Sequence, residues 1–162
     1  MNVAYDPSTG HITDEAGNLL AIGWAGNGEG KNNPAMQNVH NVGPLPYGLY
    51  EVAEWEHFHN GLGHDVVALH QIEGETYGRD GFFIHGPAIN SEHYGQESKG
   101  CIVVPREGRL KLEDLKPVYI RVVGPALEVA PVSIPEVVQE VPVDQASEVP
   151  PGPPPEVPVE GV

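Results

Sequence analysis

The stretch Phe82–Val104, FFIHGPAINSEHYGQESKGCIVV, places a histidine and the only cysteine of the chain at the ends of two apolar runs. The first run leads into His85, and Cys101 leads into the second. Short apolar runs separated by a polar, turn-forming loop are typical of strands. If the two strands are neighbours, the loop returns the chain and brings the imidazole and the thiol together.

The pair predicts nucleophilic catalysis. A thiol attacks as the thiolate, and a nearby imidazole is the usual device for forming it. We therefore predict Cys101 as the nucleophile and His85 as its base. Gly86 and Gly100 flank the pair with minimal bulk, which would let a substrate backbone approach. The amides around Gly100 and Cys101 are predicted to form an oxyanion hole.

Four further residues are candidates for the same site. Ser98 is predicted to orient its hydroxyl toward the site, and Lys99 to lower the thiol pKa or to bind a carboxylate. Arg79 is predicted to bind the terminal carboxylate of a peptide bidentately, the alternative being a surface ion pair with Asp80. Tyr50 is predicted to line the groove, although aromatic side chains in strands more often lie in the core.

Composition limits the partners. The chain has 162 residues and a formal net charge of −15. This acidity gives no electrostatic reason to bind nucleic acid or anionic lipid. A single cysteine excludes an internal disulfide. The N-terminal segment shows no ordinary secretory signal, and no apolar run approaches the roughly 20 residues that span a bilayer. We predict neither nucleic-acid binding nor membrane insertion.

Two regions are predicted. Residues 1–124 carry many short apolar segments joined by Gly-, Pro- and Asn-rich turns, which predicts a mainly β domain, a compact sandwich or barrel, with one or two short helices. Helical character is expected at Arg106–Leu115 and near Pro34. Residues 125–162 hold ten of the 17 prolines, seven acidic residues and no basic one. This tail is predicted to be disordered, as a solubilising extension or as a docking peptide.

At these residues the chain resembles the L,D-transpeptidase catalytic domain. The matching residues are His85, followed by a polar loop of comparable length, and then Ser98, Gly100, Cys101 and Ile102. A closer resemblance is to a divergent branch with Ser-x-Gly-Cys-Ile, found among type VI secretion effectors that attack peptidoglycan. The Gly-rich segment 23–34 and the segment 43–50 also look like that branch. Lys99 and Val103 depart from the wider family, which has His and Asn or Arg there.

The resemblance implies an L,D-transpeptidase-like fold and an acyl transfer through Cys101 on peptidoglycan tetrapeptide stems. The outcome would be L,D-carboxypeptidase activity, D-amino-acid exchange or cross-linking. No cofactor is implied. An antibacterial effector of this kind would be made in the cytoplasm and act in the periplasm or cell wall, after delivery by a secretion system or a phage. An immunity protein or a delivery-apparatus component would then be a partner.

Other interpretations stay open at this point. The chain could be a non-catalytic cell-wall-binding or phage structural module with the same fold, or Cys101 could be an inert core thiol. A papain-like peptidase would place its cysteine before its histidine, so the order observed here counts against it. His57 and His59 share a strand face and could chelate a metal, but no third ligand is evident, and no metal site is predicted. His93, between the two reactive residues, could supply a second imidazole or lie on the surface.

Overall fold

The structure, a computed structural model, describes residues 1–89 and 92–124. Nine strands and one α-helix lie within these residues, which confirms the mainly β fold. The strands are β1 (Asn2–Asp6), β2 (His11–Asp14), β3 (Leu19–Ile22), β4 (Trp24–Ala25), β5 (Gly48–His59), β6 (Gly63–Gly74), β7 (Phe82–His85), β8 (Ile102–Val103) and β9 (Tyr119–Val122). The helix α1 spans Arg106–Leu115, and 3-10 turns span Gly28–Gly30 and Pro34–Met36. The predicted tail, 125–162, lies outside the described residues.

The nine strands form one sheet, in the order β3-β2-β1-β9-β5-β6-β7-β8-β4. Its two end strands, β3 and β4, are consecutive in the chain and are separated only by Gly23. The N–H of Gly23 donates to the carbonyl of Gly10 at 2.8 Å, and a Cβ at Gly23 would overlap the carbonyl of Val103. Gly23 therefore lies where the two ends of the sheet meet, and its missing side chain lets the backbones approach.

The strands β7 and β8 contain the two apolar runs of residues 82–104. They pair in parallel, with Ile84 opposite Ile102 and His85 opposite Val103. Parallel neighbours need a long crossover rather than a tight hairpin, and residues 86–101 supply it. The sheet thus confirms that the two apolar runs are neighbouring strands.

The core consists mainly of side chains from the sheet, with Leu112 contributed by α1. Gly108 of α1 packs against β3 and the end of β8, where a Cβ would stand 3.0 Å from the Cβ of Ala21 and 2.8 Å from a methyl group of Val104. Leu112, one turn further along, is 1% exposed. The buried apolar cluster consists of Val3, Tyr5, Ile12, Ala21, Ala25, Leu45, Tyr50, Val67, Leu69, Phe82, Ile84, Ile102, Val104, Leu112, Ile120 and Val122.

The hairpin β5–β6 is longer than the sequence predicts. The apolar residues of the segments 49–53 and 66–71 predict two short strands, whereas each strand has 12 residues in the structure. The outer half of β5 is largely exposed on both faces, so it lacks the alternation of apolar and polar residues that marks a strand. Asn60-Gly61, at the turn, is the sequence signal that indicates this hairpin.

The described part of the chain contains no helix with the length and apolar character needed to cross a membrane.

Candidate active site

The strands β7 and β8 place His85 and Cys101 on the same face of the sheet. Because His85 lies opposite Val103, the same register sets Phe83 opposite Cys101, the residue just before β8. Partners across a ladder point to the same face, and so do residues two apart. His85 and Cys101 therefore occupy diagonal positions on the same face of the sheet, with Cys101 immediately before β8.

The imidazole of His85 is buried and oriented. The side chain is 5% exposed, and Nδ1 lies 2.8 Å from the carbonyl oxygen of Gly86. A carbonyl oxygen only accepts hydrogen bonds, so Nδ1 carries the proton of the neutral ring. This fixes the tautomer in which Nε2 is the unprotonated nitrogen. Nε2 is thus the atom that can receive a proton from a nucleophile.

The surroundings of His85 favour the neutral ring. Burial lowers the pKa of His85 below its ordinary value, and the positive charge of Arg109 acts in the same direction. The hydrogen bond to Gly86 and the carboxylate of Glu97 oppose this shift and raise the pKa. Because the net shift is downward, His85 is a neutral base at neutral pH.

The thiol of Cys101 is half-buried rather than sealed in the core. The Sγ atom lies 3.7 Å from the carbonyl oxygen of Gly81, which accepts the S–H hydrogen. Burial raises the pKa of Cys101, while the backbone N–H groups of Phe83 and Cys101 and the charge of Arg79 lower it. Both the thiol and the imidazole are therefore neutral at neutral pH.

The turn before Cys101 is held by the hydroxyl of Ser98, which is 0% exposed. Its Oγ donates to the carbonyl of Cys101 at 2.6 Å and accepts the N–H groups of Gly26 at 2.9 Å and Gly100 at 3.2 Å. This differs from the prediction that Ser98 presents its hydroxyl to the site. Since the N–H of Gly100 is also engaged, the predicted oxyanion hole is not open at that amide in this structure.

Arg79 has a role different from the one predicted, and it, not Lys99, is the cation that acts on the thiol. The guanidinium of Arg79 is buried, and its terminal N–H groups donate to the carbonyls of Gln37, Gly43, Pro44 and Lys99. A bidentate grip on a substrate carboxylate would need these same N–H groups. Lys99 is exposed, and the cation that lowers the pKa of the buried thiol is Arg79.

The two glycines beside the reactive residues accommodate arginines. A Cβ at Gly100 would overlap Nη2 of Arg79, and a Cβ at Gly86 would stand 2.6 Å from Nη2 of Arg109. Gly100 also has a φ of 128°, in the region that favours glycine. We expected both glycines to admit substrate backbone; in the structure their missing side chains leave room for guanidinium groups.

Tyr50 belongs to the core, and the prediction that it lines the groove is wrong. It is 0% exposed, its hydroxyl donates to the carbonyl of Pro46 at 2.9 Å, and its ring meets Phe82 edge-on at 6.0 Å. A side chain with no exposed surface cannot touch a substrate. Burial raises the pKa of Tyr50 above its ordinary value, so its phenol stays protonated at neutral pH.

The histidines of the β5–β6 hairpin do not converge. The ring of His59 packs on Phe83 at 5.1 Å, while His57 lies 4.0 Å from the carboxylate of Asp65. Across the described ranges, no group of three or more His, Cys, Asp or Glu side chains is arranged to hold a metal ion. His93 is exposed on the loop between the two reactive residues.

Three residues that sequence reasoning missed support the site. Glu97 closes the loop by accepting the N–H of Ala88 at 2.7 Å, and its charge acts on His85. Asn27 donates from Nδ2 to the carbonyl of Ser98 at 2.7 Å. Arg109 reaches back from α1 to Gly86. All three lie in segments that the sequence analysis names, residues 82–104, 23–34 and 106–115, but nothing in those segments indicates which side chain turns toward the site.

Solved structures similar to this chain have low sequence identity to it. One is the helical cell shape determining protein Pgp2 from Campylobacter jejuni, with 15% identity, a TM-score of 0.48, and coverage of 76% of this chain and 47% of that protein. Another is L,D-transpeptidase 3 from Mycobacterium tuberculosis in complex with a faropenem-derived adduct, with 14% identity, a TM-score of 0.45, and coverage of 75% and 59%. This chain thus spans about half the length of these proteins.

The family comparison covers most of the described domain. No curated protein sequence matches the chain. The Tlde1 domain family, by contrast, matches residues 20–116, which include both reactive residues, the Ser98–Cys101 turn and α1. This match covers more than half of the chain and confirms the predicted resemblance to the type VI effector branch of L,D-transpeptidase-like domains. The chain therefore belongs to the Tlde1 domain family.

Proposed function

We propose that this chain is a cysteine-dependent acyl-transfer enzyme that acts on peptidoglycan stem peptides, as an L,D-carboxypeptidase, a D-amino-acid exchange enzyme, or both. The observation that carries the proposal is the placement of His85 and Cys101 on one face of adjacent strands, with Nε2 as the free ring nitrogen and the thiol partly exposed. Membership in the Tlde1 domain family supports peptidoglycan as the substrate.

In the acylation step, Sγ of Cys101 attacks the carbonyl carbon that joins the third stem residue to the terminal D-alanine. The thiol proton passes to Nε2 of His85 as the C–S bond forms and the carbonyl oxygen becomes an oxyanion. The oxyanion then collapses, the C–N bond breaks, and the imidazolium returns its proton to the leaving amine. The products are free D-alanine and a thioester on Cys101.

The second step depends on the acceptor. Water, deprotonated by Nε2, releases a tripeptide stem and restores the thiol. The amine of a free D-amino acid gives exchange instead, and the amine of a second stem gives a cross-link. For a toxin, trimming or exchange removes the tetrapeptides that serve as cross-linking donors. We therefore propose trimming or exchange as the dominant outcome.

The electrostatics of the pair suit general-base catalysis. The imidazole is neutral in the resting state because burial lowers the pKa of His85. Protonating His85 would remove the base, so the acid limb of kcat/KM should lie below the ordinary pKa of histidine, about 6.5. The thiol must rotate away from the carbonyl of Gly81, its hydrogen-bond acceptor at 3.7 Å, to approach Nε2. Hydrogen bonds of this kind often tighten only when substrate is bound.

The decisive experiment is mass spectrometry of muropeptides after incubation with wild-type protein and with Cys101→Ala. Wild type should convert tetrapeptide stems to tripeptides, or exchange the terminal residue when a D-amino acid is added. Cys101→Ala should do neither, and His85→Ala should lose about 10²–10⁴-fold in rate. The matched control is His93→Ala, which changes an exposed histidine in the loop between His85 and Cys101. It should retain activity. Equal activity of wild type and Cys101→Ala would refute the proposal.

Covalent labelling separates an enzyme from a binding module with the same fold. A carbapenem acylates a thiol that can attack a strained carbonyl, so intact-mass spectrometry of the wild type should show one adduct, which Cys101→Ala lacks. A non-catalytic module would form no adduct under native conditions. A thiol sealed in the core would react only after denaturation.

We also propose that the protein acts in the periplasm or cell wall as an antibacterial effector, after delivery by a secretion system or a phage, and that an immunity protein neutralises it. Expression in a bacterial host with an added export signal should stop growth or lyse the cells, whereas expression without that signal should not. The exported Cys101→Ala variant should be harmless. Toxicity of the unexported form alone would contradict a wall target.

A further inference from the structure

We propose that Arg79 is the positioning residue of the nucleophile: its buried guanidinium fixes the turn that presents Cys101 and sets a permanent positive charge beside the place where the thiolate forms. The proposal deepens the function proposed above and rests on it, because Cys101 is taken as the attacking group. It replaces the substrate-binding role that the sequence alone predicts for Arg79.

The contacts of Arg79 connect the turn 98–101, here called the nucleophile turn, to a loop that is distant in sequence. Its Nη1 donates to the carbonyls of Gln37 and, at 2.8 Å, of Pro44. Its Nη2 donates to the carbonyl of Gly43 at 2.8 Å and to that of Lys99 at 3.1 Å. All four terminal N–H groups are therefore used. One side chain holds the loop 37–44 against the residue pair that immediately precedes Cys101.

The packing around Arg79 leaves room for this side chain and little else. A Cβ at Gly100 would overlap Nη2 of Arg79 and would stand 3.1 Å from the ring of Phe82. On another side, the guanidinium carbon lies 5.5 Å from the centre of the Phe82 ring, within cation–π range. Gly100, with its φ of 128°, and Phe82 thus form a slot that the guanidinium fills.

The charge of Arg79 has no carboxylate to neutralise it among the described residues, where the ion pairs of arginine involve Arg106 and Arg121. Its four partners are carbonyl oxygens, which are neutral. The ionisable groups that act on Arg79 are Tyr50 and Cys101. An arginine stays protonated in proteins, so the developing thiolate of Cys101 is the anion that this charge can stabilise.

A purely structural role would not need the charge. Neutral donors could also satisfy the four carbonyls and hold the turn. Burial raises the pKa of Cys101, and Arg79 is the charged group that counters it, together with the N–H groups of Phe83 and Cys101. Variants that separate hydrogen bonding from charge therefore distinguish positioning of the thiolate from simple support of the fold.

The test is the pH profile of Cys101 alkylation by iodoacetamide, followed by intact-mass spectrometry, in Arg79→Lys, Arg79→Gln and Arg79→Met. Lysine keeps the positive charge but loses the planar set of N–H donors of the guanidinium. Glutamine keeps N–H donors but loses the charge. We expect alkylation near pH 7 to slow by about tenfold or more in Arg79→Gln and Arg79→Met, and by no more than about threefold in Arg79→Lys. All variants should approach the same rate at high pH, where the thiol is fully ionised.

The matched control is Arg109→Met. It also removes a buried guanidinium that is bound to carbonyls and packed against a glycine, but Arg109 does not act on the thiol. Its melting temperature should fall as in Arg79→Met without a comparable change in the alkylation profile. A folded Arg79→Gln with the wild-type profile would overturn the proposal. Failure of every Arg79 variant to fold, lysine included, would also overturn it, in favour of a structural role.

Alkylation does not depend on the substrate. A thiol profile that shifts as expected in a protein inactive on muropeptides would contradict the proposed function and leave the role of Arg79 standing. If instead the protein were active on muropeptides but the alkylation profile did not shift in the Arg79 variants, the proposed function would stand and the role of Arg79 would be wrong.

Discussion

Two parts of the site, here called corners, share one arrangement of residues but differ in its effect. In each, a reactive residue stands next to a glycine, and a buried guanidinium occupies the space where a side chain would be. Arg79 fills the corner of Gly100 and Cys101, and Arg109 fills the corner of Gly86 and His85. Both arginines are 6% exposed, and both donate only to backbone carbonyls in that corner.

The corners differ first in what they hold. Arg79, from the turn after β6, holds the loop 37–44 and the nucleophile turn. Arg109, from α1, donates from Nε to the carbonyl of Val104 at 2.9 Å and from Nη1 to the carbonyls of His64 and Asp65. The first corner therefore joins loops, and the second joins a helix to the strand end at Val104 and to the start of β6.

They differ also in electrostatic effect, because the two reactive groups ionise with opposite signs. Burial opposes the charged form of both, raising the pKa of Cys101 and lowering that of His85. The charge of Arg79 then favours the thiolate, whereas the charge of Arg109 disfavours the imidazolium. The same device thus favours the thiolate of Cys101 at one corner and the neutral ring of His85 at the other.

The largest difference between the corners is expected from alanine at each glycine. Gly100→Ala combines a φ of 128° with overlap on the Arg79 guanidinium, so it must displace the nucleophile turn. We expect kcat/KM on tetrapeptide stems to fall by about 100-fold, since a displacement near 1 Å can have that effect. Gly86 has no such φ, and Gly86→Ala should lower kcat/KM by about tenfold or less.

Overpacking should destabilise both variants by about 1–3 kcal/mol, so melting temperatures must be measured with the kinetics. Comparable losses of kcat/KM in two equally stable variants would show that the corners do not differ in the way the backbone geometry indicates.

The second prediction concerns the acid limb of the pH profile. Replacing Arg109 with methionine removes a positive charge that helps keep His85 unprotonated, so the pKa of His85 should rise. Because the neutral ring is the base, the acid limb of kcat/KM should move to higher pH, and activity at about pH 5.5 should fall several-fold relative to the optimum. Arg109→Lys loses much of the hydrogen bonding but keeps the charge, and its acid limb should move less. Equal profiles for the two variants would contradict an electrostatic role for Arg109.

The elements around the site could be predicted because their residues are locally informative. The apolar runs at β7 and β8 give the two strands, and the segment Arg106–Leu115 gives the helix. The outer part of the β5–β6 hairpin could not be predicted from apolar patterning, because its side chains are solvated on both faces. Tyr50 was predicted to line the groove but lies in the core. An aromatic residue in a strand is compatible with either position, and only the tertiary packing determines which one it takes.

Charged residues were the hardest to assign. Lys99 is two residues from Cys101 and was expected to act on the thiol, whereas Arg79, 20 residues earlier in the β6–β7 connection, does so. Sequence neighbours in a turn point in different directions, and chain distance says nothing about which cation folds inward. Arg109 and Glu97 reach His85 only through tertiary structure, and no spacing rule indicates either.

The smallest expected effect comes from Glu97, which opposes Arg109 at the His85 corner. Its Oε1 accepts the N–H of Ala88 at 2.7 Å, and its Oε2 is buried without a hydrogen-bond partner among residues 1–89 and 92–124. The carboxylate raises the pKa of His85 against the dominant effect of burial. Glu97→Gln keeps a carbonyl oxygen for Ala88 and loses only the charge, so the acid limb of kcat/KM should move to lower pH.

That direction is opposite to the one expected for Arg109→Met, which makes the two variants tests of each other. The imidazolium formed during attack should also be less stable without Glu97, so kcat at the pH optimum should fall by a few-fold. Glu97→Ala is the structural comparison, because it also removes the acceptor for Ala88 and should loosen the loop. If Glu97→Gln moved the acid limb to higher pH, the charge of Glu97 would not raise the pKa of His85. The claim that Glu97 and Arg109 have opposite effects on His85 would then be wrong.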